Sequence, residues 1–393
     1  MTDETSTAPE IAGPPRSLQE LIDRVSGRHL AATSPPAESG IVDTPPYPFL
    51  ALVGQREMKL ALLLSLINPA VGGVLLVGPR GTGKTTAVRS LTALLPDVLR
   101  SLCPNGYGCR PDDIEQGGMD AVCPDCARRY GEGEPLATPD KVRLFELPLN
   151  AELDDVVGGM DARAAAQNRF RIRRGLLAQA DNQLLYIDEV NLLPDPLIDA
   201  ILDASAQGQY TVRRGPVAAT YFSRFVLIGS MNPEEGQLRP QILDRFGLRI
   251  LVDGLDERGD RLEAYRRVRA YRTNPRMTAA EYAESTELVQ LEIQDARDRL
   301  PGVRLADEVA GLGLELIERL DIASLRAEIT LFEAARAYAA SDGRQEATPD
   351  DLWAVAGMAL RLRRSRFMSE YFQERQSEEG EIRVEIEKLR NEP

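Results

Sequence analysis

Eight consecutive residues, Gly78-Pro79-Arg80-Gly81-Thr82-Gly83-Lys84-Thr85, fit the pattern G-x-x-x-x-G-K-[ST]. In such a loop the glycines let backbone N–H groups turn inward around a β-phosphate, and the following helix adds the positive end of its dipole. Lys84 would reach the β and γ oxygens, and the Thr85 hydroxyl would be a Mg²⁺ ligand. The context separates this loop from an ordinary Gly-rich turn. It follows an apolar run, Gly73-Val74-Leu75-Leu76-Val77, which reads as a short buried strand, and it precedes a helix expected over Thr86 to Leu95. Thr86 completes the expected binding set for ATP.

Three further groups could act on the same phosphates. Asp188-Glu189 ends a second buried strand, Leu184-Leu185-Tyr186-Ile187. Parallel strands deliver such carboxylates to the C-terminal sheet edge. Asp188 is expected to hold Mg²⁺ through its water shell, and Glu189 to orient and polarise the attacking water. A third strand, Phe225-Val226-Leu227-Ile228, runs into Gly229-Ser230-Met231-Asn232-Pro233, so Asn232 could hold the lytic water or the γ-phosphate. Asn before Pro is also a common turn former. Arg245, in Leu238-Arg239-Pro240-Gln241-Ile242-Leu243-Asp244-Arg245-Phe246, is a candidate for an arginine inserted by a neighbouring subunit to neutralise transition-state charge. On chemistry alone, a surface ion pair with Asp244 is the stronger reading of Arg245.

All four cysteines lie between the phosphate loop and Asp188. They are Cys103 and Cys109 in Cys103-Pro104-Asn105-Gly106-Tyr107-Gly108-Cys109, then, after 13 intervening residues, Cys123 and Cys126 in Cys123-Pro124-Asp125-Cys126. The second pair is C-x-x-C, close enough for two thiolates to share a tetrahedral ion, and Pro and Gly around both pairs suit knuckle turns. A structural Zn²⁺ is the leading expectation. An Fe–S cluster and unligated or redox-active cysteines are the alternatives.

The elements that must position these groups follow from periodicity. A helix is expected around Glu57 to Ile67. Strands separated by helical segments imply an α/β fold, a parallel sheet covered by helices on both faces. After about residue 256 helical periodicity takes over, in Glu257 to Tyr271, Ala279 to Arg299, Asp307 to Leu320, Ser324 to Ser341 and Pro349 to Arg364. Ser324 and Thr348 mark two helix starts. The expected organisation is a disordered Pro/Ser-rich head at 1–45, broken by one amphipathic run from Leu18 to Val25, and a nucleotide-binding domain at 46–255. An all-α lid at 256–367 and a charged tail at 368–393 follow. The domain should carry a cysteine insert at about 101–130.

Composition narrows the function classes. With Lys+Arg 47 against Asp+Glu 61, the net charge of -14 opposes non-specific binding to nucleic acid or anionic membrane. No run approaches the roughly 20 apolar residues of a membrane helix, and no leader pattern opens the chain, so no membrane insertion is expected and the cytoplasm is the default. The single histidine, His29, lies in the Ser/Pro-rich head, which leaves histidine chemistry out.

The order of motifs resembles the AAA+ motor subunit, subunit I, of magnesium chelatase and its cobalt-chelatase relatives. The matching strings are Leu52-Val53-Gly54-Gln55-Arg56-Glu57-Met58-Lys59-Leu60-Ala61-Leu62, the phosphate loop, Gly175-Leu176-Leu177-Ala178 and Tyr186 through Leu193. Gly229-Ser230-Met231-Asn232-Pro233-Glu234-Glu235-Gly236 and Leu238 through Gly247 complete them. They span most of residues 47 to 365, and the last two are far more specific than the phosphate loop.

The resemblance implies an ATP-driven AAA+ ring, a hexamer, whose P-loop sheet is sandwiched by helices and followed by an all-α lid. The ring would work with an AAA+ subunit bearing a von Willebrand A domain and with a large porphyrin-binding subunit. Together they would insert Mg²⁺ into protoporphyrin IX for chlorophyll or bacteriochlorophyll biosynthesis. It also implies that Asn232 is sensor 1, that Arg245 is the trans arginine finger, and that Arg326, in Ser324-Leu325-Arg326-Ala327-Glu328, is the sensor 2 arginine on the γ-phosphate of its own subunit. The 104 residues from Lys84 to Asp188 exceed a minimal unit. In the family this interval carries a helix broken by a β-hairpin, expected here at 147–170. The four-cysteine module departs from the family pattern. A MoxR-like ATPase that remodels or activates a von Willebrand A partner is the alternative engine of the same kind. An MCM-like DNA motor is disfavoured by charge.

Overall fold

The computed structural model describes residues 44–104, 108–160, 172–215, 217–236 and 238–363. The expected head, its helix at Leu18 to Val25 and the charged tail therefore lie outside the described residues.

Strand β1, Val74–Val77, is buried along its whole length and sits inside a five-stranded sheet. The antiparallel pair β2, Val98–Ser101, and β3, Ala137–Asp140, stands apart from that sheet. The sheet's other members are β4, Leu144–Glu146, and β5, Leu184–Ile187. A second separate antiparallel pair follows, β6, Gln209–Arg214, with β7, Val217–Phe222. Strands β8, Val226–Met231, and β9, Leu248–Leu251, complete the sheet in the order β4-β5-β8-β1-β9, all parallel.

The strands alternate between two cores, as period-2 geometry requires. Val74, Leu76, Leu184, Tyr186, Val226, Ile228, Leu248 and Ile250 face one core; Leu75, Val77, Leu185, Ile187, Leu227 and Met231 face the other. Each fully buried Leu or Ile contributes about 1.5–3 kcal/mol of transfer free energy, so both faces must be covered. On the first face lie helix α1, Arg56–Ile67, and α2, Lys84–Ser90. The second is covered largely by the longer helix Asp195–Gln207, which buries Leu197, Ile198, Ile201 and Leu202.

Helices follow β9. Arg258–Thr273, Pro275–Glu281, Ala283–Arg299, Asp307–Arg319, Leu325–Ser341 and Pro349–Leu360 succeed one another, and the last four add Ile293, Val309, Leu331 and Val355 to the first core. The sequence reading of a strandless lid needs one correction. Arg304–Leu305 and Glu346–Ala347 form a two-residue parallel pair within it, too short to leave a periodic signal. Helices start directly after both Ser324 and Thr348, as expected, but the two residues differ in their cap bonds. Thr348 has a full capping box with Asp351, whereas the Ser324 hydroxyl makes no cap bond and donates to Asp244 at 2.9 and 3.1 Å.

Candidate nucleotide-binding site

The phosphate loop is shaped by two different demands on glycine. At Gly78, which follows β1, a Cβ would stand 2.1 Å from the Val252 carbonyl oxygen, so only hydrogen fits. Gly81 and Gly83 have open space around them but φ of +81° and +87°, the left-handed region that a side chain disfavours. Gly83 then leads directly into α2, which begins at Lys84, two residues earlier than the expected helix.

Lys84, 9% exposed, donates from Nζ to the carbonyls of Gly78 and Pro79, each at 2.7 Å. Burial pulls its ammonium below the ordinary lysine value, against the nearby carboxylates of Asp188, Glu189 and Glu235, which raise it. A mobile cation held by two loop carbonyls can exchange them for phosphate oxygens without moving far.

Asp188 follows β5 and meets the loop through hydroxyls. Its Oδ1 accepts from Tyr186 at 2.8 Å and from the Ser230 hydroxyl, and Tyr186 also lies 3.2 Å from the Thr85 hydroxyl. Burial raises the Tyr186 phenol above its ordinary value, so it remains a donor. The Ser230 hydroxyl further accepts from the Glu189 N–H at 3.1 Å. Thr85 and Asp188 therefore share one hydrogen-bonded cluster, and their oxygens are a hard donor set suited to Mg²⁺. Tyr186 and Ser230 were not singled out as site residues in the sequence; Tyr186 looks there like one more apolar strand residue.

Glu189 has φ +52° and pairs with Arg80 at 2.9 Å; Arg80 also pairs with Glu235. Asn232 is 4% exposed, and its Oδ1 accepts from the Glu234 N–H at 3.3 Å, so it caps the turn Pro233–Glu235. It nonetheless lines the cleft. A cavity of about 380 Å³ is bounded by Arg80 to Thr86, Asp188, Glu189 and Ser230 to Asn232, which unites the expected phosphate-binding and water-orienting residues. A larger cavity of about 770 Å³, lined by Arg110, Gln183, Phe222 and Arg297 among others, has none of these groups, and the chemistry assigns nucleotide to the smaller one.

Two expected residues lie off this cleft. Arg245 pairs with Asp199 and Asp203, both at 3.0 Å. The expected pairing with Asp244 is thereby corrected: neighbours on a helix point about 100° apart, and Asp244 faces the lid instead. Arg326 stands 3.7 Å from Asp244. That carboxylate also binds Arg363 at 2.8 Å and lies 3.7 Å from Arg249, whose side chain is fully buried. Burial lowers the pKa of Arg249, and the charge of Arg363 adds to the effect.

The cysteines come together as their spacing implied. All four Sγ atoms lie within 4.8 Å of one another, and none is in a disulfide. Burial pushes the Cys109 thiol up to about 12. For the expected family hairpin, Leu153–Val157 is helical and Met160 bridges Ile172 in antiparallel fashion, with 161–171 outside the described residues. The β6–β7 hairpin was not anticipated.

Comparison with known proteins completes the picture. The AAA lid domain family matches residues 315–385. A magnesium-chelatase subunit ChlI homolog of Methanocaldococcus jannaschii is 41% identical over 325 residues, 82% of this chain and 87% of its own. The magnesium-chelatase 38 kDa subunit of Acidiphilium rubrum is 42% identical over 318 residues, 81% and 90% of the two chains. The chain belongs to the magnesium-chelatase subunit ChlI family. A solved structure from Cytophaga hutchinsonii, 20% identical with a TM-score of 0.52, covers 80% of this ChlI-family chain and 84% of its own, a likeness of fold alone. The fold is thus the AAA+ one: a parallel P-loop sheet between helices, followed by a helical lid. Among the described residues no helix is long and apolar enough to cross a membrane.

Proposed function

We propose that this chain is the ATP-hydrolysing motor subunit of a magnesium chelatase, which drives insertion of Mg²⁺ into protoporphyrin IX from the cytoplasm. The observation that carries the proposal is the single cleft gathering Gly81, Lys84, Thr85, Asp188, Glu189 and Asn232 in a chain whose curated relatives are named as chelatase subunits.

MgATP is the substrate. The loop N–H groups and Lys84 bind its phosphates, Lys84 giving up the Gly78 and Pro79 carbonyls it holds at 2.7 Å. Thr85 and Asp188 take the Mg²⁺ of MgATP, with Tyr186 and Ser230 fixing the Asp188 carboxylate. Glu189 exchanges Arg80 for the attacking water and accepts its proton, while the Asn232 amide orients that water. Arg245 acts from the neighbouring subunit of a hexameric ring, and Arg326 acts from the lid of the same subunit. Neither side chain lines the cleft of its own chain, as expected of groups that reach phosphate only across an interface or on lid movement. Hydrolysis is transmitted to an AAA+ partner with a von Willebrand A domain and to a large porphyrin-binding subunit, in keeping with relatives named as subunits of a larger enzyme.

The deciding experiment combines purified chain and partners with protoporphyrin IX, MgCl₂ and ATP and follows Mg-porphyrin fluorescence. ATP-dependent product supports the reading. ATP hydrolysis without product would overturn the chelatase assignment in favour of protein remodelling.

A further inference from the structure

Residues 102–136 form a closed module that the nucleotide cleft does not use. Its ends are clamped by β2 and β3, paired from Val98↔Asp140 to Ser101↔Ala137. Its interior is unusual in content. The buried cluster consists of Cys109, Val122, Cys123, Cys126 and Leu136, with Cys103, Ile114 and Ala127 packed against it. Among the described residues only two fully apolar ones, Val122 and Leu136, are buried there, too few to order some thirty residues by hydrophobic burial alone. Something else must centre the module.

The sulfur geometry says what. Cys103 Sγ and Cys123 Sγ are 3.7 Å apart. A disulfide would bring them to about 2.05 Å. A tetrahedral ion with Zn–S bonds of about 2.3 Å spaces its sulfurs by about 3.8 Å along each edge. All four Sγ atoms fall within 4.8 Å of one another, room for one ion at the centre; a cluster of several irons would hold them further apart. The Cys123 N–H also donates to Cys109 Sγ at 3.4 Å, a bond that favours a thiolate acceptor.

Charge is also provided for. Four thiolates around a divalent ion carry a net charge of two negatives, and two guanidinium groups attend the module. Arg129 donates to the Leu102 carbonyl at 3.0 Å, next to Cys103. Arg174 packs on Gly108, next to Cys109, so closely that a Cβ there would meet its Nη1 at 2.0 Å.

We propose that Cys103, Cys109, Cys123 and Cys126 hold one Zn²⁺ ion as a closed tetrathiolate, and that this ion is the structural centre of the 102–136 module. A closed four-thiolate shell has no open position for substrate, so the ion is structural. Its mechanical reach follows from the module's contacts. Arg110, one residue after Cys109, binds the Asp181 carboxylate at 2.8 Å and its backbone carbonyl at 3.3 Å. Arg174 lies 5.1 Å above the Tyr221 ring of β7. The zinc module thereby braces the turn before β5 and the β6–β7 hairpin.

The test uses full-length chain purified without added metal or chelator. Elemental analysis should find roughly one zinc per chain, released by a mercurial thiol reagent into a zinc-sensitive dye. Exchange with Co²⁺ should give the visible d–d and sulfur-to-metal bands of a tetrahedral thiolate site. Cys126→Ser should lose the zinc and the cobalt spectrum. The wild-type metal content stands on its own should that variant fail to fold. A folded wild-type chain without zinc, or one carrying iron instead, would overturn the proposal. None of these readouts depends on ATP turnover.

Discussion

Asp244 is where the lid is fastened to the nucleotide domain, and Asp244→Ala tests that fastening. Its carboxylate accepts from Ser324 at 2.9 Å and from Arg363 at 2.8 Å, with Arg249 and Arg326 each at 3.7 Å. The side chains of Arg249 and Arg363 are 0% exposed, so removing the carboxylate strands two buried cations. Breaking one buried pair costs about 3–5 kcal/mol. Asp244 itself is 33% exposed, and both arginines keep carbonyl partners, Arg249 on Arg361 and Leu362 and Arg363 on Gly247. The low end, about 3 kcal/mol, is therefore expected. With a urea slope of roughly 3 kcal/mol/M, the unfolding midpoint should fall by about 1 M. Trp353, the single tryptophan, sits on the helix Pro349–Leu360 and is 47% exposed, so its fluorescence reports the lid. A cycle with Arg363→Met should show coupling of roughly 2 kcal/mol. A midpoint shift under a fifth of that expected, with additive effects in the cycle, would refute the fastening.

Lys84→Ala removes the cation that bridges the loop carbonyls, and phosphate release from ATP should fall to background; unchanged turnover contradicts the site. Arg245→Ala should alter stability by no more than about 0.5 kcal/mol, because its partners Asp199 and Asp203 are 51% and 56% exposed. Hydrolysis should nevertheless drop while ATP binding, measured by calorimetry, is retained. In rings mixed with wild-type subunits, the loss should appear in the neighbour. A defect confined to the substituted subunit rules out a role across the interface.

The parts of the fold that were legible are those whose signal is local. Leu184–Ile187 is four buried residues bounded by polar ones, and the structure has it with those bounds. The phosphate loop was legible because strand, glycines and helix stand in one order. Strand β9 was not, because its second residue is Arg249. A charged residue argues against a buried strand unless carbonyls from Arg361 and Leu362, over a hundred residues later, are known to receive it. Strand β4 is three residues long, below what periodicity detects. Ser324 reads as a helix cap from spacing alone and does hold the N-cap position, but only the fold brings Asp244 within 2.9 Å to accept its hydroxyl hydrogen bond in place of the helix N–H groups. Cysteine spacing announced a cluster, whereas Tyr186 gave no sign that its hydroxyl would join Thr85 to Asp188.

Asp244 and Arg245 show how adjacent residues can divide two tasks. Asp244 and Arg245 are consecutive at the end of the helix Pro240–Arg245, and they face about 100° apart. Asp244 looks to the lid and holds Arg326, Arg363 and Ser324, while Arg245 turns to the half-exposed carboxylates of Asp199 and Asp203 and the Asp199 carbonyl. A lid rotation that drew Arg326 toward phosphate would pull on Asp244, and Asp244 could not move without turning the helix that carries Arg245. On the roles proposed above for Arg245 and Arg326, the state of one subunit's nucleotide would reach the arginine offered to the next through a single carboxylate. Asp244→Ala should then weaken coordination between subunits as well as stability.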